Sequence, residues 1–156
     1  LARQLGYPHI ELDALFHQEN WQPLPEDEFR QTVFQRLQGE AWVVEGSYSA
    51  VRPLILARAD TVIWLDLSRA EVMRQLIPRT LMRVICRTRL WNGNRERWQN
   101  LFRLSREHSI LAWAWQRHAV YRKRYRDEMC NAPDDVRYLR LDSREAVDAF
   151  LARLST

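Results

Sequence analysis

Thr61-Val62-Ile63-Trp64-Leu65-Asp66-Leu67 is an unbroken apolar run with β-branched residues, closed by a carboxylate and followed by a polar helix start, Ser68-Arg69-Ala70-Glu71. Such a run reads as a strand buried on both faces, the kind that occupies the middle of a parallel sheet. Three more segments have the same form, Pro8 to Asp13, Ala41 to Glu45 and Val136 to Asp142, and each ends on an acid. If the four strands run parallel, Asp13, Glu45, Asp66 and Asp142 leave one edge of the sheet, where open α/β sheets bind ligands.

The segments between them are helical. Leu1 to Gly6 reads as the end of a helix stopped by glycine and Pro8. Ala14 to Pro25 reads as a loop carrying Phe16 and Trp21. Glu26 to Gln38 places Phe29, Val33, Phe34 and Leu37 at helical spacing, with acids in the first turn. Gly46-Ser47-Tyr48-Ser49 is a tight exit from the second strand, where glycine lets the backbone approach a neighbour. Arg52 to Ala59 reads as a short helix. From Ser68 a helical pattern runs to about Leu90, and Pro78 is expected to kink it or to start a new helix. Arg79, Arg83 and Arg87 are spaced by four, along one face. Trp91-Asn92-Gly93-Asn94-Arg95-Glu96 is a turn. A second helical stretch runs from Arg97 to about Met129, with a possible break near Ser105 to Ser109. Ser143 is the expected N-cap of a last helix ending near Leu154. Strands alternating with helices make the fold class α/β, a mostly parallel sheet with flanking helices. The whole chain is expected to be one domain, with 78–129 as a helical lid insertion.

The 156 residues suit one domain with its own core, and the formal charge is +4. All the cationic side chains but Lys123 are arginines, which grip phosphate and carboxylate in a planar fork. A phosphorylated small molecule or a nucleic acid is the matching partner class, although a GC-rich coding sequence would give the same preference. Cys86 and Cys130 have neither paired spacing nor a histidine arrangement suited to metal, so a reducing, cytoplasmic location is expected. No apolar run approaches the ~20 residues that cross a bilayer, and no signal-peptide pattern opens the chain. A membrane partner is therefore not expected, and monomer or homodimer remains open.

Leu12-Asp13, Trp42 to Ser49, Ala59 to Asp66, the arginine series from Arg79, and Trp91-Asn92-Gly93-Asn94-Arg95-Glu96 followed by Ser109-Ile110-Leu111-Ala112-Trp113 resemble the adenylate-kinase-like P-loop proteins labelled DNA topology modulation proteins. The likeness covers essentially the whole chain. It implies a nucleotide-kinase fold with strand order 2-3-1-4-5, of which this chain supplies the second to fifth strands. The first strand and its loop, G-x-x-x-x-G-K-[ST], are then expected upstream of Leu1, which is not a methionine. The 156 residues contain no such loop, and Lys123 falls within the lid helices.

The resemblance also implies roles. Glu45 would hold Mg2+ directly or through water, or else cap the amides of Ser47 or Tyr48. Asp13 would face the acceptor and take its hydroxyl proton, or simply form a turn. Arg79 and Arg83 would be catalytic, placed on the charge that develops in phosphoryl transfer, with a solvated helix face as the alternative. Arg87, Arg122 and Arg126, with Arg95 as a further candidate, would hold the nucleotide. Arg52 and Gly46 would meet the substrate, with plain surface charge as the alternative for Arg52. Asp66 would face the same crevice from the far side of the missing strand, but capping of the Ala70 or Glu71 amides is the expected role. Asn92 and Asn94 are expected to shape their own turn. The function expected is an ATP- and Mg2+-dependent phosphotransferase acting on a nucleoside monophosphate or another small phosphorylated or hydroxylated acceptor. The alternative is a non-enzymatic nucleic-acid-binding protein that uses the basic helices.

Overall fold

The computed structural model describes residues 1–95 and 110–154. The protein is mixed α/β, and the pairings between its described strands are parallel. Two compact units divide the chain, one made of residues 1–59, 91–94 and 149–156, the other of 60–90 and 95–148.

In the first unit β1 (His9–Glu11) pairs with β2 (Val43–Glu45), with Glu11 opposite Glu45. Phe29, Leu12, Leu37, Val33 and Val51 are its fully buried side chains, and Ile10 joins them. Burial of one such side chain stabilises the fold by about 1.5–3 kcal/mol. The helix Glu26–Arg36 contributes Phe29 and Val33, with Leu37 at its C-cap, and its opening acids lie at the positive end of its dipole. Phe34 departs from expectation: it is 51% exposed, since it lies off the 29/33/37 face.

The first strand is shorter than Pro8 to Asp13. Leu12–Phe16 turns into a short helix because Leu12, Leu15 and Phe16, at i, i+3 and i+4, all pack on the core. Asp13 therefore sits in a first helical turn beyond the strand end. The segment expected as plain loop holds that helix and a single turn, Glu19–Trp21, in which Asn20 and Trp21 have φ of 58° and 60°. The helix after β2 covers Arg52–Leu56 only.

In the second unit β3 (Thr61–Leu65) pairs with β4 (Arg137–Leu141), with Leu65 opposite Leu141. Burial on both faces is not realised in β3. With β4 as its one described neighbour, Trp64 is buried and Leu65 is 57% exposed. The helix Arg69–Ile85 continues through Pro78, so no new helix starts there; Pro78 is exposed, and water can serve the carbonyl that its missing N–H leaves. Its cap is Ser68, whose Oγ accepts the Glu71 N–H at 3.2 Å. The helix stops at Cys86, and Arg87 follows at φ 48°, so Arg79 and Arg83 share a helix face that Arg87 has left. A second helix covers Ile110–Cys130. The break foreseen near Ser105 to Ser109 lies outside the described residues. Ser143 caps the last helix, Arg144–Arg153, as expected, accepting the Ala146 N–H at 3.1 Å.

Candidate functional site

In the first unit parallel pairing sends the chain out of β1 and β2 at the same end, into the helix Leu12–Phe16 and the turn 46–50. That brings Asp13 to Tyr48, whose hydroxyl donates to Oδ1 of the carboxylate. His17, one helical turn beyond Asp13, places Nε2 3.5 Å from the same hydroxyl. Burial raises the Tyr48 phenol well above its ordinary pKa, and the hydrogen bond and charge of Asp13 add to the rise, so the phenol stays protonated. Burial holds His17 below the ordinary imidazole value, with the Asp13 charge pulling the other way. Its Nδ1 is buried and has no partner among the described residues.

Aromatic rings wall this cluster. Phe16 lies edge-on to His17 at 5.1 Å and tilted to Tyr48 at 4.7 Å, Trp21 meets His17 edge-on at 5.3 Å, and Trp91 lies parallel to it at 6.0 Å. Trp91-Asn92-Gly93-Asn94 does more than shape its own turn. Asn92 Nδ2 donates to the carbonyls of Ala14 at 3.2 Å and His17 at 2.6 Å. Asn94, which is buried, donates to the Gln18 carbonyl at 2.8 Å and accepts the Trp21 N–H at 2.9 Å. The two amides clasp the segment 14–21 that carries His17 and Trp21. His17 and Tyr48 were missed from sequence, yet the spacing of four between Asp13 and His17 was a readable sign that both share a helix face.

Glu45 is exposed, and its carboxylate meets His9 Nε2 at 3.1 Å. Gly46 has φ +119°, and a Cβ there would lie 2.9 Å from Leu12 Cβ. The neighbour its backbone approaches is thus the core itself. Arg52 opens its helix half-buried and is engaged by a neighbour.

In the second unit Asp66 does not cap the helix after β3. It is 4% exposed and takes two guanidinium groups: Arg122 Nε at 2.8 Å and Arg140 Nη2 at 2.6 Å. A buried acid must be paired, and two arginines outcompete a backbone amide that Ser68 already serves. Arg122, expected on the nucleotide, is committed here. Arg140 also lies over the Trp64 ring at 5.4 Å. Arg79, Arg87 and Arg126 are exposed; Arg83 is half-buried, and both Arg83 and Arg95 are engaged by neighbours. Lys123 pairs with Asp127 at 2.9 Å and Arg124 with Glu128 at 3.0 Å.

These 156 residues do not by themselves supply a phosphate loop for a nucleoside triphosphate with Mg2+. Glu45 offers one exposed carboxylate, and no group of three or more metal-ligating side chains occurs among the described residues. The four glycines are scattered at positions 6, 39, 46 and 93, with no backbone cradle among them, and the one lysine is held by Asp127. No helix of the described residues is long and apolar enough to cross a membrane.

No protein-family model matches this chain, and neither a curated protein nor a solved structure matches it.

Proposed function

We propose that the chain is part of a phosphotransferase of P-loop nucleotide-kinase type, using ATP and Mg2+ on a nucleoside monophosphate or another small acceptor. The strand pairing carries this reading. Removing strand 1 from the order 2-3-1-4-5 leaves 2 beside 3 and 4 beside 5, both parallel, and β1 pairs with β2 and β3 with β4 in that sense. In this reading Asp13 accepts the hydroxyl proton, and the hydrogen bond from Tyr48 holds its carboxylate. Arg79 and Arg83 are the cations for charge that develops during transfer. With Arg122 held by Asp66, contact with the nucleotide falls to Arg87 and Arg126. The reading needs a glycine-rich phosphate loop that these 156 residues do not contain.

The test is ATP-dependent phosphoryl transfer by protein made from the complete reading frame, over a panel of nucleoside monophosphates and small hydroxylated acceptors. Asp13→Asn is expected to lower kcat by about 10²- to 10⁴-fold, as does loss of a general base elsewhere. Absence of transfer to every acceptor ends the reading. Affinity for duplex DNA that falls steeply with salt and ignores ATP would instead make the protein a nucleic-acid-binding module. The helix 110–130 favours that alternative less, since Arg122, Lys123 and Arg124 are engaged by acids.

A further inference from the structure

Asp13, Tyr48 and His17 form one hydrogen-bonded row inside aromatic walls. The Tyr48 proton goes to Asp13 Oδ1, and a carboxylate has room for further donors. His17 Nδ1 has no partner among the described residues. The charge that bears on both His17 and Tyr48 is the negative one of Asp13. Phe16, His17, Trp21 and Trp91 are each partly exposed, so their rings can meet a flat or cyclic guest.

From this arrangement we infer that the Asp13 site takes an uncharged, hydroxyl-bearing ring compound, a nucleoside or a sugar, in preference to a nucleoside monophosphate. The inference rests on the phosphotransferase reading and narrows its acceptor. An acceptor phosphate is already ionised at neutral pH, so it gains nothing from a carboxylate base and is repelled by it. A hydroxyl donates to Asp13 and, in the transfer, loses its proton to that same carboxylate. The apolar faces of the ring cover Trp21 and Trp91, as aromatic side chains do for bases and sugars alike.

The experiment titrates the full chain with adenosine, methyl α-glucopyranoside and adenosine monophosphate, without ATP. Tryptophan fluorescence and the NMR signals of the His17 ring and the Trp21 and Trp91 indoles report binding. Saturable shifts at these residues with adenosine or the glucoside are expected, at least tenfold tighter than with the monophosphate. Which of the two binds separates base stacking from sugar stacking. Asp13→Asn should weaken the uncharged ligand about tenfold, as loss of a hydrogen bond to a charged group does, and should narrow its advantage over the monophosphate. If Asp13→Asn does not fold, Tyr48→Phe keeps the carboxylate and should keep the discrimination against the monophosphate. A monophosphate that binds as tightly as adenosine, or no response to either uncharged compound, overturns the inference. Monophosphate binding together with transfer to it sinks this inference and leaves the phosphotransferase reading standing. Binding of an uncharged ring without transfer from ATP by the complete protein does the reverse.

Discussion

Asn92 donates its side-chain amide to the carbonyl of His17 at 2.6 Å, across 75 positions of sequence. Asn94 serves the same segment from a buried position, as donor to Gln18 and acceptor from Trp21. Truncating Asn94 strands both partners, and an unsatisfied buried polar group costs about 1–3 kcal/mol. Asn94→Ala should therefore destabilise the first unit by that order, and the exposed Asn92→Ala by less. Hydrogen exchange at the Trp21 amide, with denaturant unfolding, checks both; unchanged protection of that amide in Asn94→Ala would refute the clasp.

Asp66 holds Arg122 and Arg140 together. Removing one partner of a buried ion pair costs about 3–5 kcal/mol, and here the cost is reduced because the two arginine side chains are 40% exposed. Asp66→Ala should destabilise the second unit by about 2 kcal/mol, more than Arg122→Ala or Arg140→Ala alone, since each arginine variant leaves the carboxylate a cation. Chemical denaturation of the three variants gives the order, and an arginine variant less stable than Asp66→Ala contradicts it.

Gly46 combines φ +119° with a Cβ position 2.9 Å from Leu12 Cβ. A non-glycine residue in such a conformation costs about 1–3 kcal/mol, and the clash adds to it. Gly46→Ala should lower the unfolding midpoint clearly, and Leu12→Ala made in the same background should not restore it, because alanine keeps the Cβ that the new methyl meets and opens a cavity besides. A Gly46→Ala protein as stable as the parent would show that the turn can adopt another path.

His17 is kept neutral by burial, its folded pKa lying below the ordinary 6.5. As pH falls through 6.5 the unfolded chain takes up the proton first, so stability from this group is complete above 6.5 and is lost on acidification toward the folded value. His17→Gln should flatten that part of the stability profile between pH 7 and 5. Identical profiles for parent and variant would show that another group sets the slope.

What the sequence made legible was local. The helix Glu26–Arg36 and the Ser143 cap follow from spacing and hydroxyl position, and the four strand segments were found because apolar runs ending on acids are short-range patterns. Long-range contacts were not legible. Nothing near Asp66 in sequence announces Arg140, which is 74 positions away, and nothing near Asn94 announces Trp21, 73 away. Asp66 was misjudged because a strand-end acid and a helix start are adjacent, while Ser68, two residues on, already met the amide. Leu12 reads as strand because the run Pro8 to Asp13 also fits a strand that turns helical when its next apolar residues come at i+3 and i+4.

The first unit is assembled from separate stretches of chain: 1–59, the turn 91–94, and the final residues from Ala149. Gln4 Nε2 reaches the carbonyl of Leu151 at 3.4 Å. During synthesis the ribosome therefore releases Phe29, Val33 and Leu37 long before the asparagines that pin His17 in place. Nascent chains halted before residue 91 should stay open to protease at the 14–21 segment, and those halted before 149 should leave the amino-terminal turn unanchored.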